Sequence, residues 1–106
     1  GNSVADSFVP QWKTEQYSVF YFDSDKWYYP LSKAISCDWN GALDAWLSLL
    51  DSKDILKRSC ASYNIAVACY MIGDYDLALK WLDRSDEENK LPQSDTLRKR
   101  IKTRIQ

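Results

Sequence analysis

Two helical stripes that change phase at a Gly-Asp pair constrain this 106-residue chain more than any other feature. Within Tyr63–Ser85, YNIAVACYMIGDYDLALKWLDRS, Tyr63, Val67 and Tyr70 recur at one helical spacing. Tyr75, Ala78, Leu79 and Leu82 recur at another. Gly73 can adopt the positive φ that ends the first helix, and the Asp74 carboxylate can cap the second. The small side chains of Ala66 and Ala78 let the two helices approach closely. The expectation is a helical hairpin with its hinge at Gly73-Asp74.

Around that hairpin the pattern is helical almost throughout. Asp38 precedes the apolar stripe Trp39, Ala42, Leu43, Trp46, Leu47 and Leu50. Asn40-Gly41 lies in its first turn, where a Gly costs about 1 kcal/mol relative to Ala. Asp54 is placed to cap a helix over 55–72 that is apolar on more than one face and should be central. Leu91-Pro92 breaks the chain, and Ser94 or Asp95 can open a last helix with Leu97, Ile101 and Ile105 on one stripe. A short helix over 26–36 requires Pro30 in its first turn. Between Trp12 and Phe22 the signal is divided. Trp12, Gln16, Val19 and Phe20 suit a helix, whereas Tyr17, Val19 and Tyr21 alternate as in a strand. A helix is expected there, because an isolated two-stranded hairpin is weak alone. The alternative is a hairpin of YSVFYF and WYY across the Asp23–Lys26 loop.

An internal repeat runs through these helices. Asp74-Tyr75 and Ala78-Leu79 lie 36 residues after Asp38-Trp39 and Ala42-Leu43. With the Gly-Asp-Tyr turn and the small residues beside it, this pattern resembles a tetratricopeptide (TPR) repeat, whose period is 34. The resemblance covers the second helix of a first unit and both helices of a second. In the first unit Pro30 stands where the small residue would be, and Cys37 where the turn Gly would be. It implies an all-α, antiparallel stack of helical hairpins in one domain: a lead-in over 1–11, N-terminal helices over 12–36, a repeat core over 37–89 and a capping helix over 90–106. A TPR groove is lined by the first helix of each unit, which here means Cys60, Tyr63, Val67, Tyr70 and Met71 with Asn64 beside them. The TPR likeness implies a protein or peptide partner. Some such grooves clamp a terminal carboxylate through an Asn and several cations. Asn64 occupies such a position, but the first unit lacks the cations. The alternative for these side chains is burial beneath the N-terminal helices.

Pro10-x-Trp12, the aromatic pairs and Asp38-Trp39-x-x-Ala42-x-x-x-Trp46 also resemble the C-terminal part of uncharacterised cell-envelope lipoproteins of gut bacteria. That likeness implies a location at the bacterial cell envelope, with the cytoplasm as the alternative. The Gly at position 1 accords with an excised fragment of a longer chain.

Tyr17, Tyr21, Trp27, Tyr28 and Tyr29 suggest a second class of function, because flat rings stack on sugar faces. Trp27 and Tyr28 are the candidates for a glycan-binding surface, and core packing is the competing role for such rings. Catalytic readings find less support. The chain has no His, which excludes a Ser-His-Asp triad, a Cys-His pair and His metal ligands. Asp38, Asp44, Asp51 and Asp54 are carboxylates of the kind glycosidases use, yet they fall at caps and on solvated helix faces. A calcium loop from Asp23 fails, with Tyr28 at its sixth position and Ala34 at its twelfth. The expectation is therefore no enzyme, no cofactor and no metal.

Cys37, Cys60 and Cys69 are odd in number and lack CxxC spacing, so they read as free thiols, the last two as small core residues. A net charge of −1 gives no global pull toward nucleic acid or anionic membrane. Six basic residues between Lys90 and Gln106 face one acid, Asp95, and read as a solvated helix face. No run is long and apolar enough for a transmembrane helix, and a monomer is expected.

Overall fold

In a computed structural model, residues 9–14 and 16–105 are described. Most of the lead-in over 1–11 lies outside them. The fold is all-α apart from one short hairpin. Strands β1 (Gln11–Lys13) and β2 (Ser18–Phe20) are followed by helices α1 (Asp25–Ile35), α2 (Trp39–Leu47), α3 (Ile55–Ile72), α4 (Tyr75–Asn89) and α5 (Ser94–Ile105).

Capping chemistry sets three of the helix starts. Asp38 accepts a hydrogen bond from the Gly41 N–H at 3.0 Å, Asp54 from the Leu56 N–H at 2.9 Å, and Asp74 from the Leu77 N–H at 3.3 Å. Each satisfies an amide left without a partner in the first helical turn. Gly41 belongs to the first of these caps, since a Cβ there would fall 2.5 Å from an Asp38 carboxylate oxygen.

The two helical hairpins, α1–α2 and α3–α4, turn in the same way. Gly73 has φ +100°, and the Asp74 N–H reaches back to the Cys69 carbonyl at 2.9 Å. Thirty-six residues earlier Cys37 has φ +62°, and the Asp38 N–H reaches the Lys33 carbonyl at 2.8 Å. Both turns have the Schellman pattern, with a left-handed residue just past the helix. Ala42 and Ala78, also 36 apart, are both fully buried. The repeat in the sequence is thus a repeat in the backbone.

Helix α3 is the centre of the molecule. Helices α2, α4 and α5 and strand β2 all pack on it, and Ser59 through Cys69 are buried without a break. Ser59 and Ser85 exchange hydrogen bonds across the α3–α4 interface, the Ser85 hydroxyl donating to the Ser59 carbonyl at 2.9 Å. Nearby, Arg58 Nε meets Glu88 at 2.5 Å. Leu97 and Ile101 bury one face of α5, whereas Ile105 at its end is 48% exposed. Arg98 ties α5 to α4 through Asp83 at 2.7 Å and Asp86 at 2.6 Å, and Ser94 donates to Asp86 as well.

Two expectations for the N-terminal third are corrected. Residues 12–22 do not form a helix. They supply most of an antiparallel hairpin with Trp12 opposite Val19, and the Thr14 N–H donates to the Tyr17 carbonyl at 2.8 Å in the turn. Nor is its partner WYY, which lies inside α1. Packing on α3 stabilises this two-stranded unit: Val19 and Phe20 are buried, and the Phe20 and Tyr63 rings meet edge-on at 5.2 Å. Pro30 is also not in a first turn. It is the sixth residue of α1 and fully buried. The helix forgoes the bond a sixth-residue N–H would make to the Lys26 carbonyl, and burial of the ring offsets that loss.

Candidate functional site

The predicted groove residues separate into two groups. Tyr63, Asn64 and Val67 are 3%, 0% and 1% exposed, covered by the hairpin, and Cys60 is buried as well. Tyr70 and Met71, one turn further on, are half-buried and reach an open cleft.

Asn64 has a structural task. In β2 the Val19 and Tyr21 positions pair with β1, so the Phe20 N–H and C=O point to the other, unpartnered edge. The Asn64 amide takes both, accepting from the Phe20 N–H at 2.8 Å and donating to its carbonyl at 2.7 Å. One side chain on α3 thus stands in for a third strand. With both ends of its amide on Phe20 and no exposed surface, Asn64 is not presented to a terminal carboxylate.

The cleft lies between the hairpin turn, the C-terminal end of α3, the start of α4 and one face of α5. Its volume is about 700 Å³, and Tyr70, Met71 and Tyr75 face Lys99, Arg100, Thr103 and Arg104 across it. The Tyr70 and Tyr75 rings lie 5.8 Å apart, tilted by 52°. A smaller space of about 240 Å³ continues beneath the hairpin, bordered by Lys13, Tyr17, Tyr63, Val67 and Leu97. Gln16, Tyr70 and Arg100 border both. At that junction Arg100 Nη1 donates to the Gln16 carbonyl at 2.6 Å, bridging the turn and α5.

The charged side chains that line the cleft, Lys99, Arg100 and Arg104, are cationic. The neighbouring Tyr70 side chain, and then the charge that Tyr70 and Tyr75 carry once ionised, raise the Arg104 guanidinium further above its usual value. Burial pushes the Tyr63 phenol up, against smaller opposing effects of Ser18 and Arg100. Among the described residues, no carboxylate comes within salt-bridge distance of Lys13, Lys99, Arg100 or Arg104, although Arg58, Lys90 and Arg98 all have acid partners.

The basic face of α5 does meet solvent, as expected, since Lys99, Arg100, Lys102 and Arg104 are all exposed; what the expectation did not include is that Lys99, Arg100 and Arg104 also border the cleft. Lys99 with Thr103, and Arg100 with Arg104, are four residues apart and form a strip beside the Leu97–Ile101 stripe. Periodicity places these residues on one face of α5 but does not say which neighbour that face meets.

The aromatic surface is also redrawn. Trp27 is only 4% exposed and packs edge-on against Phe22 at 4.9 Å, so it presents no face to a sugar. Tyr28 is 41% exposed, but its hydroxyl donates to Asp23 at 2.7 Å and its ring leans on Tyr21. Tyr29, at 57% exposure, is the most open of the three. It borders a cavity of about 430 Å³ with Lys26, Ser48 and Asp51.

The thiols are free, with Cys37 exposed and the other two buried. Burial, with a smaller contribution from Asp54, pushes Cys60 up to about 12; burial and then Asp74 push Cys69 up to about 11. Among the described residues no cluster of three or more potential ligands could hold a metal ion, and no helix is long and apolar enough to cross a membrane.

A family model described as a domain of unknown function (DUF6340) matches residues 32–104. The chain belongs to the DUF6340 family. The DUF6340 match runs from inside α1 to near the end of α5, so it includes the basic strip and excludes the hairpin. No curated protein and no solved structure matches this DUF6340 chain.

Proposed function

We propose that this chain is a non-enzymatic interaction module that binds a protein or peptide partner in the cleft between the hairpin turn, α3 and α5. The observation carrying this reading is the cleft's composition: a floor of Tyr70, Tyr75 and Met71 beneath a polar and cationic rim. Apolar, aromatic floors with a few polar groups at the edge are the usual construction of binding sites. The two similarly turned helical hairpins support the resemblance to a TPR stack. The likeness to cell-envelope lipoproteins supports a bacterial envelope location.

Thr103→Trp tests the proposal, because it fills the cleft from an exposed helix position. Peptides selected on the wild-type chain from an unbiased display library should lose at least tenfold in affinity for this variant. Binders that ignore the substitution, or a selection that yields none, would reject the reading.

A second reading, glycan binding, draws on Tyr29 beside Lys26, Ser48 and Asp51. An exposed ring flanked by hydrogen-bonding groups suits a sugar face. Calorimetric titration across an oligosaccharide panel should then give heats with the wild type that Tyr29→Ala abolishes. A panel without heats removes this alternative.

A further inference from the structure

We infer that the cleft takes an acidic, extended stretch of a peptide and reads it through side-chain carboxylates rather than through a chain terminus. The inference rests on the interaction-module reading and adds the partner's chemistry.

Charge supplies the first argument. Lys99, Arg100 and Arg104 line the open cleft, and Lys13 borders its continuation under the hairpin. In a protein of net charge −1, this places four of its 14 Lys and Arg side chains along one concave surface. Clefts of one sign concentrate oppositely charged ligands. Arg100 currently donates to a neutral carbonyl, that of Gln16. A carboxylate is the stronger acceptor for a guanidinium and offers it two parallel hydrogen bonds.

Shape and occupancy narrow the ligand. Asn64, the side chain that would fix a terminal carboxylate, spends both ends of its amide on Phe20. The cations instead recur along α5 at positions 99, 100 and 104, a spread that suits successive acidic side chains. Tyr70, Tyr75 and Met71 below them offer a surface for apolar side chains between the acids. A single-stranded nucleic acid fits less well. The two tyrosine rings engage each other at 52° and present no parallel faces between which a base could slot.

The test uses C-terminally amidated dodecapeptides from a display library, so that no free terminus is offered. Recovered binders should be enriched in Asp and Glu with interspersed Leu, Phe or Tyr. Replacing the acids by Asn and Gln should weaken binding at least tenfold. Lys99→Glu with Arg104→Glu should do the same while leaving the circular dichroism melt in place, and should turn the preference toward basic peptides. Raising NaCl from 50 to 300 mM should weaken wild-type binding several-fold.

Neutral or basic binders blocked by Thr103→Trp would overturn the acidic specificity and leave the interaction module standing. Binding only by peptides with a free carboxyl terminus would overturn side-chain reading. Equal competition by oligothymidylate or by phosphatidylglycerol vesicles would overturn a peptide as the ligand. Absence of any binder would reject both the inference and the reading beneath it.

Discussion

At the residue scale, the two left-handed residues that end α1 and α3 make opposite predictions. Cys37 holds φ +62° with an exposed side chain, so it bears the backbone cost without packing in return. An L-residue in that region costs roughly 1–2 kcal/mol, and Cys37→Gly should stabilise the protein by about 1 kcal/mol in urea denaturation. Gly73, at φ +100°, has open space where a Cβ would go. Gly73→Val should therefore lose more than about 1 kcal/mol through the backbone alone. An unchanged urea midpoint for either variant would contradict the shared-turn account. The thiols give a further prediction. Only Cys37 should react with a disulfide reagent at pH 8 in the folded protein, since the buried Cys60 and Cys69 hold their protons to about 12 and 11. A folded-state thiol pKa above the reference value of 9.0 contributes stability that is complete below pH 9 and is lost as pH rises through the folded value. Stability should thus decline between about pH 9 and 12, and mass spectrometry of labelled protein should show one modification at pH 8.

At the element scale, the hairpin depends on Asn64. Asn64→Ala would strand the Phe20 N–H and C=O at a buried edge, at roughly 1–3 kcal/mol for each unsatisfied group. The variant should lose about 2 kcal/mol or more, and amide exchange should quicken at Phe20 before it does in α3. Equal protection of Phe20 in the variant would sink this account. The same contact explains why the hairpin was not legible locally. Tyr17, Val19 and Tyr21 do alternate, but what makes a two-stranded unit viable is an amide 44 positions from Phe20, which no local window contains. Helices α2, α3 and α4 were legible because each begins at its own Asp and carries its own stripe. Pro30 misled in another way, since a burial term outweighed a local propensity. For the site, Tyr70 and Met71 were readable from α3, but the strip on α5 was hidden because its charges suit solvent equally well. Only packing of Leu97 and Ile101 turns that strip toward the tyrosines.

At the scale of the whole molecule, α5 serves as both cap and wall. Leu97 and Ile101 are buried against the stack, and burial of such side chains is worth about 1.5–3 kcal/mol each. Loss of both amounts to a large part of the roughly 5–15 kcal/mol that holds a domain together. Arg98 adds ion pairs to Asp83 and Asp86, worth less because Asp83 is largely exposed. Deleting 94–106 should therefore give a chain that binds a hydrophobic dye, aggregates and loses its cooperative melt. Replacing Lys99, Arg100, Lys102 and Arg104 by Gln, with Arg98 kept, removes charge and leaves the apolar face intact. That variant should melt close to the wild type, with a modest loss from the Arg100–Gln16 bridge, and should lose its binding to acidic peptides. The two variants separate the roles of one helix, since the first removes the fold and the second only the cationic wall. If the deleted chain instead stays soluble with an unchanged melt, α5 stands outside the cooperative unit. Its basic strip would then be held beside the tyrosines chiefly by polar contacts, namely the Arg98 ion pairs, the Ser94–Asp86 hydrogen bond and the Gln16 bridge, and that docking should weaken as salt rises.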